Sequence, residues 1–300
     1  MTYGSPTSLD DVPRYLGAVR GGRAPAADLV AEFVRRYRVI GGSPLVAITT
    51  AQARALQDRL GGDVLVRGAM RFSEPSIERM LGELADEGVL RVVGIVLSPQ
   101  FSPLLMGGYE LAVAAARASI GERAPVVEIV GAWHRERAFL DALAERLREG
   151  LHRFAVAERS SVPVLLTAHS LPRRVAEEEP AYVAQLMETA EVVAARVGLA
   201  RERWTFCWQS AGHEPGEWMK PDFAELMPAL RAAGHLAVLV APVQFLADHL
   251  EILYDLDVAA REQAEAAGLR FERIESMNTS PHFIEALASV ATTQLAAVDS

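Results

Sequence analysis

Among 300 residues there is a single cysteine, Cys207. That excludes a disulfide framework, a cysteine-rich zinc site and an iron–sulfur cluster held by one chain. Positive charge is also short. Thirty Lys and Arg stand against 39 Asp and Glu, a net charge of −9. A nucleic-acid binder would carry a basic face, so no nucleic-acid partner is expected. The most apolar run, residues 236–243, is too short to span a bilayer and contains Pro242, so no integral membrane segment is expected. Residues 1–6 show no basic and apolar leader pattern, and a cytoplasmic protein is expected. No P-loop, G-x-G-x-x-G, G-x-S-x-G or H-E-x-x-H occurs, which removes the commonest phosphate-cradling, serine-hydrolase and zinc-protease readings.

What remains is an ordinary globular composition, half hydrophobic and 23% charged. A chain of this size buries about three quarters of its unfolded surface, enough for a core without staples. Short apolar runs alternate with longer amphipathic ones. Strands are expected at residues 64–67, 89–97, 125–130, 162–166, 204–208, 237–241 and 270–273. Helices are expected at 26–39, 51–60, 76–87, 109–118, 137–152, 181–197, 222–233, 248–267 and 281–298. In the last of these Phe283, Leu287, Val290 and Leu295 fall on one face. Alternation of this kind predicts an α/β fold: parallel sheets flanked by helices. The unbroken apolar run near residue 240 suits a strand buried on both faces. The polar stretch at 153–161 suggests two Rossmann-like domains, residues 1–153 and 154–280, with helix 281–298 packing back on the first.

In open parallel sheets, ligands sit beyond the carboxyl ends of the strands. His169 follows the apolar run 162–166 and can act as a metal ligand or a proton acceptor near neutral pH. It reads equally well as a hydrogen-bonded structural histidine. Glu251 lies in the first turn of a helix starting near Asp248, where a carboxylate also suits the helix dipole. Asp255 shares its face one turn on, and two carboxylates on one face suit a divalent cation. His249 cannot point the same way as Glu251 and is expected to support the loop. From the residues alone, this is an α/β protein with a His/carboxylate cleft able to take a divalent metal.

The strand-end motifs narrow the reading. Thr167-Ala168-His169-Ser170-Leu171-Pro172, Trp208-Gln209-Ser210 and Ala247-Asp248-His249-Leu250-Glu251 occur in that order. With Tyr37-Arg38-Val39-Ile40-Gly41-Gly42-Ser43-Pro44 and Leu97-Ser98-Pro99-Gln100-Phe101-Ser102, they resemble the ferrochelatase family over nearly the whole chain. The resemblance implies the chelatase fold, two Rossmann-like domains with the active-site cleft between them. It implies insertion of ferrous iron into a porphyrin in haem biosynthesis, with His169 and Glu251 as catalytic and metal-binding residues. Iron is then a substrate, and no tightly bound cofactor is expected. Tyr3-Gly4-Ser5-Pro6 resembles the coproporphyrin type, in which the tyrosine faces the macrocycle opposite the histidine. Carried over position by position, porphyrin contacts fall on Tyr3, Arg20, Arg36, Tyr37, Ser43 and Tyr109. Transient contacts with other haem-pathway enzymes are also expected.

Only two residues precede Tyr3, so the first strand is expected to be short or to begin further upstream. Ala259 stands where relatives often carry glutamate, which argues against an outer metal site. The alternatives are a chelatase for protoporphyrin or another tetrapyrrole, and a non-catalytic porphyrin or haem carrier.

Overall fold

The structure is a computed structural model and describes residues 1–62, 64–212 and 216–298. In chain order the helices and strands are α1 (Val12–Val19), α2 (Ala27–Val39), α3 (Leu45–Leu60), α4 (Ile77–Asp86), β1 (Arg91–Gly94), α5 (Pro103–Ile120) and β2 (Val126–Ile129). Then come α6 (Arg137–His152), α7 (Val156–Arg159), β3 (Val164–His169), α8 (Arg173–Glu178), α9 (Pro180–Val197), β4 (Trp204–Gln209), α10 (Phe223–Ala232) and β5 (Ala237–Pro242). The chain ends with α11 (Leu250–Leu253), a π-helix (Asp255–Ala260), α12 (Arg261–Ala266), β6 (Arg270–Arg273) and α13 (Pro281–Val298).

These elements form two compact units. One comprises Met1–Trp133, Ala247–Leu250 and the chain from Asn278; the other comprises His134–Leu246 and Glu251–Met277. The division at 133/134 differs from the 153/154 boundary expected from sequence by the whole of α6. That helix buries Phe139, Leu143 and Leu147 and packs on α9 and β5, so it belongs with the second unit.

In the first unit β1 and β2 pair in parallel, Arg91 opposite Val126 through Gly94 opposite Ile129. Met1 to Tyr3 run extended beside them. The Met1 amine donates to Ile95 O at 2.6 Å, and the Leu97 amide returns a bond to Met1 O at 2.9 Å. On the other edge the Thr2 amide donates to Ala69 O, and the Arg71 and Phe72 amides donate to Thr2 O and Tyr3 O. The first residues thus bridge to Met70 in parallel without forming a full strand, and Tyr3 comes to stand beside Phe72. An apolar cavity of about 290 Å³ adjoins Met1, walled by Leu56, Leu81, Val92, Val127 and Leu287.

Two helix starts in this unit follow capping chemistry. Ser76 Oγ accepts from the Arg79 amide ahead of α4, and Ser102 Oγ accepts from the Leu105 amide with Pro103 at the first helical position of α5. Residues 64–67, expected as a strand, join no ladder among the described residues. Instead the Gln57 side chain grips them, donating to Val64 O at 2.5 Å and accepting from the Val66 amide at 2.7 Å. Helix α13 packs on α3 and buries Phe283, Leu287 and Val290, the face expected from its spacing.

In the second unit the strand order is β4-β3-β5-β6, all parallel. Both central strands are buried along their length, apart from half-buried His169 at the end of β3. Side-chain alternation assigns the two faces. Leu165, Cys207, Val238 and Val240 meet Phe223 and Met227 of α10 and Ile252 and Leu256 beyond β5. Leu239, pointing the other way, lies against Gly150 of α6, where a Cβ would come within 3.1 Å of it. A sheet covered on both faces opens only at its strand ends, and there His169 and Gln209 lie opposite each other.

Candidate functional site

In the second unit, β3 carries His169 at its carboxyl end, beside Gln209 at the end of β4. The loop after β5 leads to Glu251. The His169 Nε2 lies 3.5 Å from Glu251 Oε1, with both side chains about one third exposed. His169 Nδ1 is 2.5 Å from Ser170 O; a carbonyl only accepts, so Nδ1 carries a proton and Nε2 is the atom turned to the carboxylate. Burial disfavours a charged imidazole here. The Glu251 charge and hydrogen bond, the Ser170 carbonyl and the Asp255 charge outweigh it, and the His169 pKa rises from 6.5 to about 9. Glu251 and His169 thus rest as an ion pair.

Two glutamines brace this pair. Gln244 Oε1 accepts from the His169 amide at 2.8 Å, and its Nε2 donates to the Tyr182 hydroxyl at 2.6 Å. Gln209 Oε1 accepts from the Thr167 hydroxyl at 2.6 Å, and its Nε2 donates to Glu251 O at 3.1 Å. Ser210, next in sequence, holds a positive φ of 57°, a strained backbone of the kind that clusters at functional sites. Gln209 stands in the Trp208-Gln209-Ser210 motif, but the role of neither amide is legible in sequence, because they act only once separate strand ends converge. His249 Nδ1 bonds to Ala247 O, the loop-supporting place expected for it. Asp248 Oδ2 accepts from Asn278 Nδ2 at 2.9 Å, and Asn278 Oδ1 accepts from the Asp248 amide.

In the first unit, the expected porphyrin contacts fall into two groups. Tyr3 and buried Tyr109 meet edge to face, 5.9 Å between centroids, and Phe72 stands 5.3 Å from Tyr3. Arg71, which sequence reasoning did not single out, places its guanidinium 5.6 Å from the Tyr3 centroid, 4.6 Å from Phe72 and 5.8 Å from Tyr109. Burial pushes the Tyr109 phenol well above its ordinary value, so it is a neutral hydroxyl. Gly4, at φ +83°, turns the chain away from Tyr3; a Cβ there would meet Ser73 Oγ at 2.5 Å.

The second group lies on the early helices. Arg20 is exposed at the C-terminal end of α1. Arg36 and buried Tyr37 lie in the last turns of α2, and Ser43 follows the Gly41-Gly42 turn, with its Oγ accepting weakly from the Leu45 amide. Arg36 Nε is engaged by Glu32 at 2.7 Å, and the two arginines beside it hold the Glu32 carboxyl well below the usual range, to about 2.

Two donors face each other in the second unit, and among the described residues no group of three or more His, Cys, Asp or Glu is placed to enclose a metal. No helix among the described residues is long and apolar enough to cross a membrane. An imidazole nitrogen and a carboxylate oxygen at this separation are donor types that a divalent metal accepts. Comparison with solved structures agrees on the fold. SirB from Bacillus subtilis with Fe3+ superposes with a TM-score of 0.62 at 10% identity, covering 83% of this chain and 88% of that one. CbiX, described as the terminal enzyme for biosynthesis of siroheme in denitrifying bacteria, gives 0.56 at 15% identity, covering 83% and 92%.

Sequence relatives are more specific. The Ferrochelatase family model matches residues 1–295. A ferrochelatase of Deinococcus radiodurans is 38% identical over 294 residues, 97% of this chain and 93% of the relative. A coproporphyrin III ferrochelatase of Geobacillus kaustophilus is 37% identical over 297 residues, again 97% and 93%. The chain belongs to the ferrochelatase family. It is an enzyme of haem biosynthesis that inserts iron into a porphyrin.

Proposed function

We propose that the porphyrin is coproporphyrin III and that His169 and Glu251 receive the ferrous ion and the displaced protons. The observation that carries the metal site is the 3.5 Å His169–Glu251 pair. A nitrogen and an oxygen each about 2.1 Å from one divalent ion lie about 3.0–3.4 Å apart, at octahedral or tetrahedral angles. The pair is therefore close to the separation that ligating one ion requires. Fe²⁺ accepts both donor types.

The reaction releases two pyrrole protons as Fe²⁺ enters, so the site must accept protons as well as hold metal. In the resting ion pair the imidazole holds a proton on Nε2, turned to the carboxylate. Arrival of Fe²⁺ at Nε2 would displace that proton to water. As iron moves on to the macrocycle, the imidazole and the carboxylate are again free to accept, one pyrrole proton each, and loss of the carboxyl proton to water restores the ion pair. Iron is a substrate here, and we propose no tightly bound cofactor.

Tyr3, Tyr109, Arg20, Arg36, Tyr37 and Ser43 are proposed as porphyrin contacts. Tyr3 and Tyr109 present rings to the macrocycle, and the arginines suit propionates because a guanidinium fork binds a carboxylate at two points. The coproporphyrin reading rests on Tyr3-Gly4-Ser5-Pro6 and on relatives that bear that name. A cytoplasmic location and transient contacts with other haem-pathway enzymes complete the proposal. The test is anaerobic insertion of Fe²⁺ into coproporphyrin III, followed by the Soret shift, with protoporphyrin IX alongside. Preferential turnover of coproporphyrin supports the reading. Equal or better turnover of protoporphyrin overturns the substrate assignment, and binding without insertion would mark a carrier.

A further inference from the structure

The Gln209 side chain joins two backbones that the metal site depends on. Its Oε1 takes the hydroxyl proton of Thr167, two residues before His169 on the neighbouring strand, at 2.6 Å. Its Nε2 donates at 3.1 Å to the carbonyl of Glu251 itself. Thr167 and Gln209 are 0% and 2% exposed. A buried amide is costly unless both ends are satisfied, and an apolar side chain of similar length would fill this space without that demand. Here both ends are used, and each reaches toward one half of the donor pair. Successive residues on a strand alternate faces, so Thr167 and His169 project to the same side. Gln209 opposes His169 in the parallel register and projects to that side as well. One planar group therefore fixes how far the Glu251 backbone stands from the strand that carries His169.

We infer that Gln209 is a positioning residue for metal capture. It acts through the backbones of Thr167 and Glu251 and touches neither the porphyrin nor the ion. The inference rests on the assignment of His169 and Glu251 as the metal-receiving pair. A donor pair must be held within about 0.5 Å of its productive geometry to ligate well. Residues that orient metal ligands from behind commonly change affinity 10- to 100-fold when removed, without ligating anything themselves. Thr167 belongs to the same device, because its hydroxyl is what the amide oxygen holds.

The test measures metal and porphyrin separately. Cobalt(II), a spectroscopic stand-in for Fe²⁺, is titrated into the full-length protein without porphyrin. Porphyrin affinity is read by quenching of coproporphyrin fluorescence, and KM for Fe²⁺ is measured anaerobically. Gln209→Leu should weaken cobalt binding and raise KM for Fe²⁺ about tenfold, with porphyrin affinity within about twofold of the parent. Thr167→Val, a gentler change that keeps the amide, should give a smaller loss of the same kind. The double variant should be no worse than Gln209→Leu alone, since both changes break one link. Thr189→Val removes an equally buried hydroxyl, which donates to Gln185 O within α9, and should leave both affinities unchanged.

Metal and porphyrin constants falling together with the melting temperature would overturn the inference, as would additive losses in the double variant. An unchanged cobalt affinity in both single variants would do the same. His169→Ala separates the two levels. If it binds cobalt as the parent does, the metal-site assignment itself fails; if it loses cobalt while Gln209→Leu and Thr167→Val do not, only the positioning inference fails.

Discussion

His169 Nε2 and Glu251 Oε1 stand 3.5 Å apart, and each is tied down on its far side by a glutamine: Gln244 at the His169 amide, Gln209 at the Glu251 carbonyl. The pair is therefore rigid at its backbone and half-open at its tips. Rigidity keeps the nitrogen and oxygen at ligating separation without metal. In the proposed role, that openness lets the ion leave, which a chelatase needs and a storage site does not.

Removing the imidazole should separate binding from chemistry. His169→Ala takes away a ligand and a proton acceptor but no proposed porphyrin contact. Turnover should fall by about two to four orders of magnitude, the usual range for losing a positioned acid–base group. Porphyrin affinity should stay within a fewfold, measured by fluorescence quenching beside anaerobic turnover. Turnover comparable to the parent would refute the assignment.

The pair also predicts a pH signature. The folded pKa of His169, about 9, lies above its ordinary 6.5. The stability it contributes is thus fully present below about 6.5 and fades as pH rises toward 9. With both side chains about one third exposed, solvent screens the interaction, and about 1–2 kcal/mol is a realistic span. Denaturant unfolding at pH 6, 7.5 and 9 should show that decline in the parent and a flatter profile in Glu251→Gln. Cobalt affinity should run the opposite way, rising toward pH 9 as the competing proton leaves Nε2. A cobalt affinity independent of pH over this window would remove Nε2 from the ligand set.

Much of this was legible in the sequence, and the misses have physical causes. The strands at 162–166, 204–208 and 237–241 were readable because central parallel strands are continuously apolar. The stretch 64–67 has the same composition, yet a side chain, Gln57, satisfies its backbone in place of a neighbouring strand. Helix 248–267 reads as one amphipathic run, but the chain breaks it into α11, a π-helix and α12. A π turn shifts the helical phase by a residue, which 3.6-residue periodicity cannot represent. His169 and Glu251 were readable as reactive types at strand ends. Gln209, Gln244 and Arg71 were not, since what each does depends on partners distant in sequence.

Arg71 offers a test that keeps stability and binding apart. Its guanidinium lies over Gly108 of α5, where a Cβ would come within 2.0 Å of it. Gly108→Ala should therefore push Arg71 off the Tyr3, Phe72 and Tyr109 rings. The displaced atoms are the far end of a flexible side chain, and alanine favours a helix by about 0.5–1 kcal/mol, so stability should hold or rise. If the rings and Arg71 receive the macrocycle together, the porphyrin KM should increase about three- to tenfold with little change in kcat. An unaltered porphyrin KM would show that this cluster serves folding alone.

The last helix should prove to be a structural part of the first unit and not an appendage. Phe283 is fully buried on the face of α13 that meets α3. Phe283→Ala should cost about 3–5 kcal/mol, the usual range for emptying an aromatic site in a packed core. Arg59 and Glu285 link the same two helices at 2.6 Å, but with about half of each side chain in solvent. Both charges remain hydrated whether or not they meet, so Arg59→Ala should leave the unfolding midpoint within experimental error. Denaturant unfolding of the two variants checks the contrast. A large loss from Arg59→Ala, with a small one from Phe283→Ala, would mean that the helix is held by charge at its rim and not by its apolar face.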